Sequence, residues 1–154
     1  MSDLLDIGYL RCAELTKRYG TTYYWGARLL PVVQRRDVCT VYALCRLADD
    51  IVDEPERDNS AVPREGTAPE RLEAFRRQFF TALARGTSAE PVMAAVVDSI
   101  RRRGTDPDCF ERFFDAMAAD LTRTTCSAIR SRQAGVTRRR AGSASCRARS
   151  AWGR

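Results

Sequence analysis

The chain has 154 residues, 44% of them hydrophobic, enough for one domain with a modest core and too few for two independent ones. It contains no histidine, which excludes His-based triads, His-ligated zinc and His general bases and leaves any chemistry to carboxylates, Arg, Tyr or a metal. The net charge of +6 is uneven, because residues 1–125 carry 18 Lys or Arg against all 20 acids while residues 126–154 carry eight Arg and no acid, so no specific nucleic-acid partner is expected from the body of the chain.

Ser2 can cap a first helix running to about Arg18, with Leu4, Leu5, Tyr9, Cys12 and Leu15 as its apolar stripe and Gly20 as its stop. After a short Thr21-Thr22 interruption, Tyr23 to Leu30 predicts a brief second helix ended by Pro31. A third runs from about Val33 to Asp53 and is closed by Pro55, since proline disfavours helical backbone in the residue before it. Residues 55–69, with three prolines and Gly66, Asn59 and Ser60, read as a polar loop. Leu72, Phe75, Phe79 and Leu83 then recur at helical intervals up to Gly86, and Met93, Val96, Val97 and Ile100 do the same up to Gly104. The basic run Arg101-Arg102-Arg103 suits the end of that fifth helix. Asp106 as N-cap and Pro107 as first helical residue open a sixth, whose inner face is Phe110, Phe113, Phe114, Met117 and Leu121. No alternating strand pattern competes, so the fold class is all-α.

No stretch approaches the eighteen or so apolar residues of a membrane span, and Met1-Ser2-Asp3 lacks the basic start of a signal peptide. A cytoplasmic location is the default expectation. The six cysteines, Cys12, Cys39, Cys45, Cys109, Cys126 and Cys146, form no Cys-x-x-Cys pair and are expected as buried thiols. From Cys126 onward Ala, Gly, Ser and Arg dominate without an apolar period, and the tail reads as disordered. Such a tail could bind RNA or an anionic membrane by charge alone, or be the product of GC-rich codons translated out of frame.

Asp49 and Asp53 stand four residues apart near the end of the third helix, which stacks their carboxylates on one face. Like charges at that spacing repel by about 0.2–0.5 kcal/mol, and acids near a helix C-terminus oppose its macrodipole. A compensating cation is expected. The candidates are the guanidinium of Arg46, one turn earlier, and a hard divalent ion such as Mg2+, which prefers carboxylate oxygens and keeps positions open for substrate phosphates. A protein that handles diphosphates is the sharpest reading.

The run Cys12 to Pro31, continued by Arg35-Arg36, by Val41-Tyr42-Ala43-Leu44-Cys45-Arg46 and by Asp49-Asp50-Ile51-Val52-Asp53, closely resembles the head-to-head prenyl synthases, the phytoene and squalene synthase family. The resemblance covers about Tyr9 to about Thr122, ending in Met117-Ala118-Ala119-Asp120-Leu121-Thr122. It implies that residues 1–125 are the N-terminal part of an isoprenoid-synthase-type helical bundle and that residues 126–154 are a separate tail. Such enzymes continue with a second aspartate motif that has no counterpart here, so a truncated or frameshifted product with impaired activity is expected.

The resemblance also implies roles. Asp49 and Asp53 match ligands of Mg2+ ions that bridge the diphosphate of a prenyl donor, with Asp50, about 100° round the helix, either behind them or in solvent. Arg46 matches a residue that contacts the diphosphate, with a salt bridge to Asp49 or Asp50 as the structural alternative. Tyr19, Gly20, Thr21 and Thr22 match a loop at the substrate mouth. Tyr23 and Tyr42 match aromatics near the prenyl channel, where each could stabilise a carbocation by about 0.5–2 kcal/mol; core packing is the alternative for both. Phe75, Phe79, Phe113 and Phe114 are expected in the core. The implied activity is a transferase reaction of carotenoid and isoprenoid biosynthesis, joining two prenyl diphosphates, geranylgeranyl diphosphate first among them, head to head. A squalene-type synthase, a non-catalytic family remnant, and an RNA- or membrane-binding helical module are the alternatives, and peripheral membrane association is compatible with the first.

Overall fold

The computed structural model describes residues 2–53, 63 and 65–122. Their regular structure is entirely helical: α1 (Ser2–Tyr19), α2 (Thr21–Ala27), α3 (Val32–Asp53), α4 (Ala68–Arg85) and α5 (Pro91–Arg103), then α6 over residues 108–122. The chain divides into a unit Met1–Ala118 and a unit Ala119–Arg154, and of the second only residues 119–122, the last turn of α6, are described. The tail expected from residue 126 lies outside the described residues.

Helix α5 is buried on nearly all sides. Val92 to Val97 are all inaccessible to solvent, as are Ser99 and Ile100, so α1, α3 and α4 can pack around it. Its ends are set locally: the Glu90 carboxylate accepts the Met93 N–H at 2.6 Å, Pro91 fills the first turn, and Gly104 closes the helix at φ 64°. Helix α1 approaches so closely that a Cβ on Gly8 would stand 2.1 Å from the Pro91 carbonyl oxygen and 2.9 Å from Ala95 Cβ. Only glycine permits that approach.

A second apolar cluster joins α4 to α6. Phe79 lies 5.1 Å from Phe110 and 5.7 Å from Phe114, and Phe75 lies 6.1 Å from Phe114, centroid to centroid. Phe75, Phe79 and Phe114 are buried as expected, whereas Phe113 is only half-buried. Arg76 fastens the rim by donating to Asp115 at 2.8 Å and to Glu111.

The observed boundaries correct the expected ones at two places. Thr21 and Thr22 are the first turn of α2 rather than an interruption, and α2 stops at Ala27 rather than Leu30. Pro69 lies inside the first turn of α4 rather than before it, because Glu70 accepts both the backbone N–H (2.8 Å) and the hydroxyl (2.9 Å) of Thr67 and starts the helix there. Asp106 does cap α6, accepting the Asp108 N–H at 3.0 Å. Most of the loop expected over residues 55–69 lies outside the described residues. The four described cysteines are free thiols, but only Cys12 and Cys39 are buried; Cys45 is half-buried and Cys109 is exposed. Among the described residues no helix is long and apolar enough to cross a membrane.

Candidate active site

A groove of about 660 Å³ runs along one face of α3. Helix α3 contributes Asp37, Val38, Val41, Tyr42, Cys45 and Asp49, which share a face because Asp37, Val41, Cys45 and Asp49 recur every four residues and Val38 and Tyr42 also stand four apart, one position round from them. Opposite them stand Ser99, Ile100 and Arg103 of α5 with Thr105 beyond it, and Tyr23 of α2 closes one side. The walls are mostly apolar and the carboxylate of Asp49 opens into them. Burial pushes the Asp49 carboxyl above the ordinary range; Arg46 opposes that rise, and the neighbouring Asp53 and Asp50 add to it. The site therefore holds negative charge at a cost that a bound cation would offset.

Gly20 shapes the wall beside Asp49. It is the single residue between α1 and α2, accepting the Tyr24 N–H at 2.9 Å and donating its own N–H to Thr16 at 2.8 Å. A Cβ there would fall 2.4–2.7 Å from the Tyr42 ring, so that ring occupies the space a side chain would need. Tyr42 also lies against Tyr23, at 5.6 Å between centroids. Tyr23 remains 67% exposed, presenting its ring to the groove.

Arg46 lies beside the groove rather than in its lining. Its guanidinium pairs with Asp50 at 2.5 Å, and its Cζ lies 4.7 Å above the centre of the Tyr19 ring. Asp50 is 4% exposed. It belongs to the packed interior, and of the two expectations for it the one in solvent is corrected. Of the alternatives for Arg46, the ion pair with Asp50 is the one seen.

The far end of the groove is polar. Asp37 accepts hydrogen bonds from Ser99 Oγ (2.7 Å), Arg102 Nη2 (2.8 Å) and Arg103 Nε (2.6 Å). Burial pushes its carboxyl up, but those bonds outweigh the burial and hold it below the ordinary range. Arg102 also donates to the Tyr9 hydroxyl at 3.0 Å, and Tyr9 donates to Asp98 at 2.5 Å. Burial, then the Asp98 contact, raise the Tyr9 hydroxyl to about 12. This latch links α1, α3 and α5.

The structure thus gathers Tyr23, Tyr42 and Asp49 around one groove, with Gly20 directly behind Tyr42. Tyr19 and Arg46 stack on each other beside it. Asp53 is exposed on the last turn of α3, close enough to act on Asp49 but outside the lining, and Thr21 and Thr22 are exposed on the first turn of α2. The loop expected from Tyr19 to Thr22 is instead two helix ends and one glycine. Asp37, Ser99 and Arg103 were missed, although the four-residue spacing Asp37, Val41, Cys45, Asp49 carries the signal that puts Asp37 on the face of Asp49.

The donor set at the acidic turn is two carboxylates of hard oxygen, and among the described residues no three His, Cys, Asp or Glu side chains gather about one point. That set fits Mg2+, which takes one or two carboxylates and completes its shell with water and substrate phosphates. A site closed by protein ligands alone, as for structural zinc, does not fit it.

Comparison with known proteins gives the family. Residues 16–134 match the squalene/phytoene synthase family, a match that reaches past the expected start of the tail. Phytoene synthase 1 of Zea mays is 33% identical over 120 residues, 78% of this chain and 27% of that protein. Phytoene synthase of Arthrospira platensis is 30% identical over 115 residues, covering 75% and 35%. The 15-cis-phytoene synthase of Synechococcus elongatus is 27% identical over 117 residues, covering 76% and 35%. The chain spans about a third or less of the length of these curated relatives. With 119 of its 154 residues matched, the chain belongs to the squalene/phytoene synthase family.

Proposed function

We propose that the chain binds a prenyl diphosphate in the α3 groove and takes part in the head-to-head condensation of two such donors, with geranylgeranyl diphosphate as substrate and phytoene as product. The observation that carries this is the meeting of Asp49 with an apolar groove lined by the neighbouring rings of Tyr23 and Tyr42, tilted 40° to each other. Asp49 and Asp53 would hold Mg2+, which supplies charge neutralisation of the leaving diphosphate so that the allylic C–O bond can ionise. Tyr23 and Tyr42 present their faces to the positive charge left on the prenyl chain, and the apolar lining from Val38 to Cys45 offers the chain a surface to pack against. Arg46, fixed by Asp50 and Tyr19 on the flank, holds a permanent cation beside the acidic turn, where it can attract the diphosphate.

The test measures diphosphate released from geranylgeranyl diphosphate together with equilibrium binding of that substrate, with and without Mg2+. The expected result is Mg2+-dependent binding and release, both lost in Asp49→Ala. Binding without release identifies a non-catalytic member of the family, and metal-independent binding that survives Asp49→Ala refutes the reading.

A membrane surface is the second partner we propose. Trp25, Leu29, Val32 and Val33 stay exposed around the α2–α3 corner, Leu29 at 88%, and residues 17–36 carry five Lys or Arg and no acid. Apolar side chains amid basic ones suit peripheral contact with anionic lipid. Co-sedimentation with anionic but not zwitterionic vesicles, lost in Leu29→Glu, checks it.

A further inference from the structure

Building on the prenyl diphosphate reading above, we propose that the Asp37–Arg103 latch is the length stop of the groove and limits the tail it accepts to four isoprene units. Asp37 and Asp49 both line the groove and stand twelve residues apart on α3, which at about 1.5 Å rise per residue separates them by about 18 Å. Between them the floor is Val38, Val41 and Cys45 with Tyr42 at the side and Ile100 opposite. Charge on this track is confined to its two ends.

An extended chain advances by about 3.3–3.6 Å for every three skeletal bonds. A C15 prenyl tail, with about eleven such bonds, therefore reaches about 13 Å; a C20 tail, with about fifteen, reaches about 17–18 Å; a C25 tail, with about nineteen, reaches about 22 Å. With the diphosphate held over the Asp49–Asp53 turn, outside the track because Asp53 lies four residues beyond Asp49 and is not part of the lining, the C20 tail fills the track and ends against the latch. A fifth unit would have to displace an ion pair fixed from two helices, leaving charges desolvated, or turn out into water.

The latch is built to stay. Asp37 is held by Ser99, Arg102 and Arg103 together, and its side chain is only 14% exposed. Arg103, by contrast, is the last residue of α5 and its side chain is 44% exposed. Removing it widens the end of the groove while Ser99 and Arg102 still bond Asp37.

The experiment is calorimetric titration of the full chain, in Mg2+, with non-ionisable thiolodiphosphate analogues of C10, C15, C20 and C25 donors. The expected result is affinity rising to C20 and about tenfold weaker binding of C25. In Arg103→Ala the C25 analogue should bind within about twofold of the C20 analogue. Arg103→Gln, a smaller cut at the same position, should move the C25:C20 ratio in the same direction and serves if the alanine variant does not melt cooperatively. Equal affinity for C20 and C25 in the parent chain, or a ratio unmoved in both variants, overturns the length stop while the prenyl diphosphate reading stands. Failure of every analogue to bind overturns that reading and the stop with it.

Discussion

Replacing Asp49 by Asn separates a carboxylate kept for a cation from one kept for packing. The exchange preserves shape and removes one of two like charges on adjacent turns of α3, a repulsion of about 0.2–0.5 kcal/mol that solvent at the exposed Asp53 holds toward its lower end. Asn at 49 also removes the penalty of burying an ionised group, whose pKa is raised chiefly by burial. Without metal the variant should therefore be more stable than the parent by about 0.5 kcal/mol, or about 1–2 °C in Tm. Mg2+ reverses the order. At ten times its dissociation constant a ligand of the folded state adds about 1.4 kcal/mol, about 3–6 °C, and Asp49→Asn should lose most of that. Thermal melts by circular dichroism at pH 7, with EDTA or with Mg2+, read both arms. The sign of the pH effect follows from the raised pKa: the Mg2+ increment should shrink as pH falls through it, because protons and metal compete for the same oxygens. A parent Tm indifferent to Mg2+, or an equal increment in the variant, refutes the reasoning.

Three further outcomes are expected. Asp37→Asn should cost about 1 kcal/mol at pH 6 after allowance for solvent screening; because the Asp37 pKa is depressed in the fold, its contribution is complete above the ordinary carboxylate value and vanishes as pH falls through the folded one, so urea melts of parent and variant should converge in acid. Gly20→Ala forces a Cβ into the Tyr42 ring and should destabilise by about 1–3 kcal/mol, with a change in the near-ultraviolet tyrosine signal as Tyr42 leaves Tyr23. Phe79→Ala empties the centre of the α4–α6 cluster, where Phe79 is 0% exposed, and should cost about 3–5 kcal/mol in chemical denaturation.

Helix α5 and the aromatic faces of α4 and α6 were legible in the sequence because burial and helical period agree there: Met93, Val96, Val97 and Ile100, like Phe75 and Phe79, fall inward wherever a 3.6-residue repeat places them. Helix boundaries followed where a glycine or proline decides them, as at Gly86 and Gly104. They failed at Thr21 and Pro69, where a side chain or a single linking residue starts a helix sooner than composition suggests. At the site, the aspartate spacing drew attention to the end of α3, where Asp49 lines a groove and Asp53 lies outside the lining. What could not be read was pairing across helices. The Arg101-Arg102-Arg103 run suited a helix end on charge alone, yet Arg102 and Arg103 are spent on Asp37, more than 60 residues earlier. Nor did spacing decide between Asp49 and Asp50 as partner of Arg46, since both lie within a turn of it; which one is met depends on how α1 brings Tyr19 against the guanidinium.

The missing side chain at position 20 has a reach beyond its own corner. The Tyr42 ring rests in the vacancy left by a residue on another segment, so the contour of the cavity beside Asp49 is cut by an atom that is not there. Any larger residue at 20 would tip the ring inward and narrow the hollow at its acidic mouth. Natural variation at that point could thus retune which molecules enter, with every residue facing the cavity left as it was.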